Sequence, residues 1–336
     1  MSKSIMNRPM VSVVMPVFNA ENYLEQAIES ILNQSYTNLD IVIINDGSTD
    51  NSKNIILNFE DKRLRYFENP VNWGIVKTRN RCLEEARGKY IAVLDSDDIA
   101  FPERIKEQVE FLENNPDYGM CGSYFQTIDG NGKFLKNVRF PSNDKDARTY
   151  LIVHNCFCHS TIMMRSKLAK EFQYLAGYDV AEDYLLWYEI SKITKIINLP
   201  VYTTFYRVHQ KNISTTKNNV MFGIVNKINA RILDDLNIKY SPEELEIHSN
   251  SLRYNDIFFK NKSEIQKLEN WISKLYKEVK KNENLNARLL YQVLVEKWIV
   301  LCSNSKHYKK MFLNKVISIH PSVYLNILSK KVRKYI

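Results

Sequence analysis

A chain of 336 residues is ample for one sizeable folded core plus a smaller appendage, and no stretch of it reaches the uninterrupted apolar length needed to cross a bilayer. Its formal net charge of +9 suits an anionic partner, but there is no recognised nucleic-acid-binding module and no aromatic-basic interleaving on a sheet, which sets nucleic acid aside. Five cysteines without an evident signal peptide read as reduced thiols in a cytosolic protein, most of them packed as small apolar groups.

In chain order, residues 11–17 form a β-branched run that gives way at Pro16, Phe18 and Asn19, and residues 20–33 carry Leu24, Ala27, Ile28, Ile31 and Leu32 at helical spacing. A second strand over residues 39–44 stops at the turn-forming cluster Asn45-Asp46-Gly47-Ser48-Thr49-Asp50, and a helix spans about residues 51–59. Residues 63–67 read as a short strand, a helix begins near Gly74 and includes residues 80–86, residues 90–94 make a strand, and residues 102–114 a helix. Strands alternating with helices of this length predict right-handed crossovers and a mainly parallel α/β sheet whose ligand crevice lies outside the carboxyl ends of the strands. Asn19, Asp46 and Asp95 all fall at such ends, so three strands deliver polar residues to one edge, as a nucleotide site requires.

Residues 93–98 read Val-Leu-Asp-Ser-Asp-Asp, an apolar strand opening onto Asp95 and Asp97 two apart. Two readings stand: a solvated turn or helix cap, or carboxylates that hold a divalent cation and through it a substrate diphosphate. No Gly-x-Gly-x-x-Gly turn follows the first strand, and no Gly-rich turn ending in Lys-Ser or Lys-Thr occurs there. A bound diphosphate therefore lacks the usual backbone anion nests, and a cation held by Asp97 would supply the neutralising charge.

Further motifs follow in order: Met-Pro-Val-Phe-Asn at residues 15–19, Ile-Leu-Asn-Gln-Ser at 31–35, Asn72-Trp73-Gly74, Thr78-Arg79-Asn80, Ala-Arg-Gly-Lys-Tyr-Ile at 86–91, Ala-Glu-Asp-Tyr-Leu-Leu-Trp at 181–187 and Tyr206-Arg207-Val208-His209. With them the chain resembles the family 2 glycosyltransferases over roughly its first 215 residues. The resemblance implies the GT-A nucleotide-diphospho-sugar transferase fold and an inverting transfer from a nucleotide diphosphate sugar, with UDP-sugar as donor. The acceptor would be a hydroxyl of a bacterial surface glycan or lipid-linked oligosaccharide, such as a capsule, lipopolysaccharide or teichoic-type polymer. It also implies Asp46 at the donor's base, with Pro16, Phe18, Asn19 and Glu21 shaping the pocket around base and ribose. Arg79 would lie beside base or diphosphate, Asp95 and Ser96 against ribose or sugar, and Asp97 with His209 around Mn²⁺ or Mg²⁺. Asn45 departs from the family, whose members commonly have Asp there.

In that resemblance Asp183 is the general base, since direct displacement at the anomeric carbon needs one group to take the acceptor hydroxyl proton. Glu182 would orient the acceptor or its neighbours, His159 and Ser160 match a position near the acceptor pocket, and Gly177 and Tyr178 border it. Glu182 and Asp183 also suit the first turn of a helix continued by Leu185, Leu186, Trp187 and Ile190, where acids meet the positive end. A Gln-x-x-Arg-Trp motif does not follow Asp183, which points to the addition of one or a few sugars per encounter. A non-catalytic sugar-nucleotide-binding or scaffold subunit is the alternative, though such a protein has no need of a general base.

Residues 118–126 and 133–140 read as a hairpin around Asp129-Gly130-Asn131-Gly132, after which residues 154–164 bring a polar, sulfur-rich stretch to another strand. The run His154-x-Cys156-x-Cys158-His159 invites a zinc site, but alternate strand residues share a face that His159 does not, and the usual two-residue gap between ligands is missing. From about Asn218 the chain turns helical, with candidate helices at residues 222–236, 242–259, 263–282 and 286–302. The domain organisation expected is a catalytic domain over residues 1–215, with a nucleotide half to residue 100 and an acceptor half from 101, then a helical region over 216–336. The tail from Ser303 mixes lysines with apolar residues and contains no acids. It suits either peripheral attachment to an anionic inner membrane face or a solvated helical surface, and the helical region equally suits binding a partner subunit, an oligomer included, or packing against the catalytic domain.

Overall fold

The computed structural model describes residues 8–210, 212, 218–250 and 262–304. The chain divides into two compact units, one of residues up to Arg148 together with Asn155–Ile224, the other of Thr149–His154 and everything from Val225.

The first unit is built on one mixed sheet in the order β3-β2-β1-β4-β8-β6-β9-β5, with β7 paired to β6. Its strands are β1 (Val11–Val17), β2 (Leu39–Asn45), β3 (Leu64–Glu68), β4 (Tyr90–Val93), β5 (Ile99–Ala100), β6 (Tyr118–Asp129), β7 (Phe134–Val138), β8 (Met163–Arg165) and β9 (Lys195–Val208). The long ladders are parallel: β1 with β2 and β4, β2 with β3, and β6 with β9. The antiparallel ladders of β8 with β4 and β6, and of β5 with β9, join these parallel blocks. β1 and β2 are buried on both faces, which is why they read as unbroken apolar runs rather than alternating ones. Val11, Val13, Met15 and Val17 pack with Leu24, Ala27, Ile28 and Ile31 of α1 (Leu24–Leu32) on one side. α3 (Ile75–Glu85) covers the other with Val76, Cys82 and Leu83.

Two details set the site edge. Pro16, which lacks an N–H, lies beyond the last pairing of β1 with β4 (Val14↔Val93), where only β2 runs alongside. β4 stops at Val93, and from there Arg104 of α4 (Arg104–Asn114), fully buried, donates Nη2 to Val93 O at 2.7 Å and Ile162 O at 3.1 Å. Its neighbour Gln108 donates to Thr161 O at 2.7 Å, so one helix satisfies backbone carbonyls on both sides of the gap that β4 leaves on entering the Asp95 loop.

The remaining helices of this unit are α2 (Ser52–Leu57), α5 (Asp144–Leu151), whose end enters the second unit, α6 (Ser166–Phe172) and α7 (Glu182–Ser191). The sequence pattern does not anticipate α5, α6 or the strand character of most of β9. In β9 Pro200 would argue against a central strand, but it is exposed and falls at a register shift, between the pairs Ser123↔Leu199 and Tyr124↔Tyr202. Of the expected extended stretch at residues 154–164, only the end is strand; a 3-10 turn at His159–Thr161 precedes it.

The second unit is helical: α8 (Asn218–Asp235, from Val225 on), α9 (Pro242–Asn250), α10 (Lys262–Val279) and α11 (Ala287–Asn304). Leu268, Trp271, Ile272, Leu275 and Val279 make one buried stripe of α10 at spacings of three and four. Fully buried His248 of α9 donates Nε2–H to Ile152 O at 2.9 Å and accepts the Trp271 Nε1–H on Nδ1 at 3.1 Å, pinning residues 149–154 to this bundle. Among the described residues no helix is long and apolar enough to cross a membrane. The expected helix at residues 251–259 and the basic tail from residue 305 lie outside the described residues.

Candidate active site

The carboxyl ends of β1 and β2 are stitched together by short polar side chains. Asn19 sits in the left-handed region (φ 50°), which its side chain tolerates. Its backbone N–H meets Ser48 Oγ at 3.0 Å and its Oδ1 takes the Thr49 N–H at 2.8 Å. Glu21 accepts the Asn51 N–H at 3.0 Å, while its own N–H goes to Asp50 Oδ2 at 3.0 Å. Burial opposes the charge on Asp50, but hydrogen bonds from Ser52 and the Glu21 N–H hold its carboxyl below the usual range. Phe18 is left exposed above this edge and Pro16 is buried beneath it.

Asp46 follows β2 and is buried, its carboxylate gathering the loop after β3. Oδ1 accepts from Asn69 Nδ2 at 2.7 Å and from the Trp73 N–H at 2.8 Å, and Oδ2 from the Gly74 N–H at 3.1 Å. Gly47 beside it has φ +67° and passes so close to the Val71 backbone that a Cβ would lie 2.6 Å from it, so no side chain fits. Asn45, the departure from the family pattern, accepts the Ser48 N–H at 3.1 Å and so shapes the same turn.

Asp95 is where the most buried part of the site meets the surface. Its N–H is taken by Ser160 Oγ at 3.1 Å, and its Oδ1 lies 3.0 Å from Arg79 Nη2 and 3.1 Å from His159 Nδ1. Burial would raise its pKa, but His159 and then Arg79 outweigh that and hold it well below the ordinary carboxylate range. Arg79 reaches on to Glu182 at the start of α7, and its guanidinium lies 5.7 Å from the centre of the Tyr174 ring. Tyr174 OH in turn is 2.9 Å from His159 Nε2. Burial also pushes the Glu182 carboxyl up, against the pull of Arg79. Glu182, His159 and Ser160 are thus buried, with polar atoms engaged on Arg79, Asp95 and Tyr174. Gly177 (φ 85°) is exposed and Tyr178 half-buried, in the loop that leads into α7.

Asp97 and His209 meet at the surface, Oδ2 to Nε2 at 2.9 Å, and Ser96 between the two aspartates is half-buried. Asp98 is fully buried and accepts the Arg207 N–H at 2.8 Å; burial first, then the charges of Asp97 and Asp95, push its pKa well up. Arg207 is buried too: Nε donates to Asp97 O at 2.9 Å, Nη2 to Gln26 Oε1 at 2.7 Å, and Nη1 faces Gly130 O at 3.4 Å. Its guanidinium lies 4.5 Å from the Tyr23 ring centre, and that ring lies 5.0 Å from the His209 ring. Asp98, Asn69 and the anchoring roles of Arg207 and Tyr174 were not read from sequence.

Asp183, also in the first turn of α7, is half-buried and hydrogen-bonded by neutral groups: its Oδ1 by the Tyr184 N–H at 2.7 Å, its Oδ2 by Asn155 Nδ2 at 2.9 Å. Cys156 and His159 do not assemble a zinc site: Cys156 Sγ faces Ala147 O at 3.6 Å and His159 is held as described. Among the described residues no three His, Cys, Asp or Glu side chains converge as metal ligands.

A sheet with polar residues at the ends of β1, β2 and β4, an Asp-x-Asp loop met by a late histidine, and an acidic pair at a helix start are the features of a sugar-nucleotide transferase of GT-A type. The family model described as Glycosyl transferase family 2 matches residues 12–172. An uncharacterized glycosyltransferase of Haemophilus influenzae is 32% identical over 234 residues, 66% of this chain and 72% of that one. The UDP-Glc:alpha-D-GlcNAc-diphosphoundecaprenol beta-1,3-glucosyltransferase WfgD of Escherichia coli is 32% identical over 214 residues, 62% of this chain and 81% of that one. Among solved structures, S. aureus TarS 1-349 in complex with UDP-GlcNAc superposes with a TM-score of 0.59 at 19% identity, covering 86% of this chain and 87% of that one. Mannosyltransferase PcManGT from Pyrobaculum calidifontis, in complex with GDP-Man and Mn2+, does so with 0.55 at 16% identity, covering 92% and 84%. The protein belongs to glycosyltransferase family 2. Its fold is GT-A-like with a helical C-terminal extension, and it is an enzyme of glycosyl transfer.

Proposed function

We propose that the enzyme moves a sugar from a UDP-sugar to a hydroxyl of a bacterial surface glycan or lipid-linked oligosaccharide, by direct displacement with inversion. The observation that carries this reading is the contrast between two carboxylates of the first unit. Asp95 is paired with Arg79 and close to His159, an environment that keeps an acid ionised and fixed for binding. Asp183 is oriented by neutral donors, one to each oxygen, so each oxygen keeps a lone pair for an acceptor hydroxyl. Asp183 is therefore the general base, removing the acceptor hydroxyl proton as the oxygen attacks opposite the leaving diphosphate.

On the donor side, Phe18, Asn19 and Glu21 flank the base and ribose above Pro16, and Asp46, whose carboxylate also accepts the Trp73 and Gly74 N–H groups, receives the base. Asp95, Ser96 and Arg79 face the ribose, sugar or diphosphate. Asp97 and His209 fit a divalent cation as a partial shell, an oxygen and an imidazole nitrogen already brought together, with the diphosphate supplying further oxygens. Mn²⁺ or Mg²⁺ bound there supplies positive charge to the departing diphosphate. Glu182, His159 and Ser160 support the acceptor side from beneath, and Gly177 and Tyr178 border the acceptor itself. The catalytic domain spans residues 1–215 in this reading, and the helical remainder serves attachment to the cytoplasmic membrane face or to a partner. WfgD, whose name specifies a UDP-glucose donor and a diphosphoundecaprenol-linked acceptor, supports both the donor and the acceptor class.

Asp183→Asn tests the assignment, since it keeps the shape and removes the base. Turnover is expected to fall by at least about 100-fold, while UDP affinity measured by calorimetry stays within about twofold of wild type. A comparable loss of nucleotide affinity would remove Asp183 from the role of base.

A further inference from the structure

We propose that Asn155 is a positioning residue that aims the Asp183 carboxylate at the acceptor hydroxyl, an inference that rests on the reading of Asp183 as general base. The amide of Asn155 has one possible orientation. Its Oδ1 accepts the Phe157 N–H at 3.0 Å, which leaves Nδ2 as the group facing Asp183 Oδ2 at 2.9 Å. A flipped amide would set N–H against N–H on one side and oxygen against carboxylate on the other. The second oxygen of Asp183 accepts the Tyr184 N–H at 2.7 Å, so each oxygen has one fixed donor and keeps a lone pair for a substrate hydroxyl.

The mounting of this amide is rigid. Asn155 stands at the surface of a segment whose next two residues, Cys156 and Phe157, are buried, and Asn198 Nδ2 from β9 grips Cys156 O at 3.0 Å. The charge type matters as much as the direction. Arg or Lys in this place would orient Asp183 equally well but would stabilise its ionised form and weaken it as a base. An amide orients without that cost; the charged groups that act on Asp183 from nearby are Arg79 and Glu182, both unchanged in the variants below, and Arg79 makes its direct ion pair with Asp95, which it helps to hold ionised. Orientation of a reacting group by a neutral hydrogen bond is the kind of constraint whose loss slows chemistry without touching binding.

Asn155→Asp is the discriminating variant, because its carboxylate still accepts the Phe157 N–H while it replaces a donor to Asp183 with a like charge. Two readouts are taken on the full chain. The first is ¹³C-carboxyl NMR titration of aspartate-labelled protein, with the Asp183 signal assigned by its loss in Asp183→Asn; it is read whether or not the wild type turns over. The second is the pH profile of nucleotide release from UDP-glucose and UDP-N-acetylglucosamine with Mn²⁺, with water as acceptor. In Asn155→Asp the Asp183 titration and the acid limb of the profile are expected to move up by at least about one pH unit. In Asn155→Ala kcat should fall about 10- to 100-fold, with the KM for the nucleotide sugar within about twofold. An Asp183 signal unmoved by Asn155→Asp overturns the proposal, as does a wild-type kcat in Asn155→Ala. If Asp183→Asn itself releases nucleotide at the wild-type rate, the assignment of the base fails, a result distinct from either.

Discussion

Five acids lie within the Asp95 loop and the first turn of α7, and their partners set their tasks apart. Asp95 and Glu182 share Arg79, Asp98 is sealed under the Arg207 backbone, Asp97 faces His209, and Asp183 faces an amide. Arg207 ties several of these together through Asp97 O, Gln26 and the Gly130 turn, although it touches no substrate in this account. Supports of this kind behind a metal site commonly change affinity 10- to 100-fold when removed. Arg207→Ala is therefore expected to weaken Mn²⁺ binding, followed by EPR of free Mn²⁺, by about tenfold, with far-UV circular dichroism unchanged. Unaltered Mn²⁺ affinity in a folded variant would show that Arg207 has no part in holding Asp97 and His209. At this scale the sequence discloses residues that carry a spacing, as Asp95 and Asp97 do, or a family motif, as Asp183 and His209 do. Asn155 has neither. One asparagine in a loop is indistinguishable from a turn former until Asp183, 28 positions away, is seen beside it.

Among the elements, those with strong periodicity are legible and those shaped by their neighbours are not. β1, β2, α1 and α3 follow from β-branched runs and apolar spacings, and they are the elements that bring Asn19, Asp46 and Arg79 into place. β9 carries Arg207 and leads to His209, but its pattern is interrupted by Pro200, which only the bulge against β6 accommodates. α9 and α10 are legible as helices, but what joins them, a buried histidine beside the Lys267–Glu243 and Lys274–Glu244 ion pairs, is not. His248 gives its proton to Ile152 O and receives one from Trp271, so only the neutral ring fits, and burial lowers its pKa from 6.5 to about 4. Between those values the unfolded chain binds a proton that the folded bundle refuses, so the stabilisation is complete above pH 6.5 and declines as pH falls toward 4. Urea unfolding followed by circular dichroism should show a loss of about 2 kcal/mol between pH 7 and pH 5. His248→Gln, which keeps a donor and an acceptor, should flatten that dependence; an equally steep loss in the variant would assign it to other groups.

Across the molecule, one unit carries every residue assigned to the reaction, and the other is a helical bundle joined to it by three chain crossings, at 148–149, 154–155 and 224–225. Its sequence shows helices and a basic tail but not a task, because amphipathic periodicity says only that a face is covered, not by what. The central claim belongs to the first unit: its strand ends form a metal-assisted UDP-sugar site. It is tested most directly by incubating the full chain with UDP-, GDP-, CDP- and dTDP-sugars and Mn²⁺ or Mg²⁺, and measuring nucleotide release by wild type and Asp97→Ala. The account predicts metal-dependent release of UDP that is lost in Asp97→Ala. Release that persists without metal or in the variant, or that comes only from another nucleotide, would contradict it.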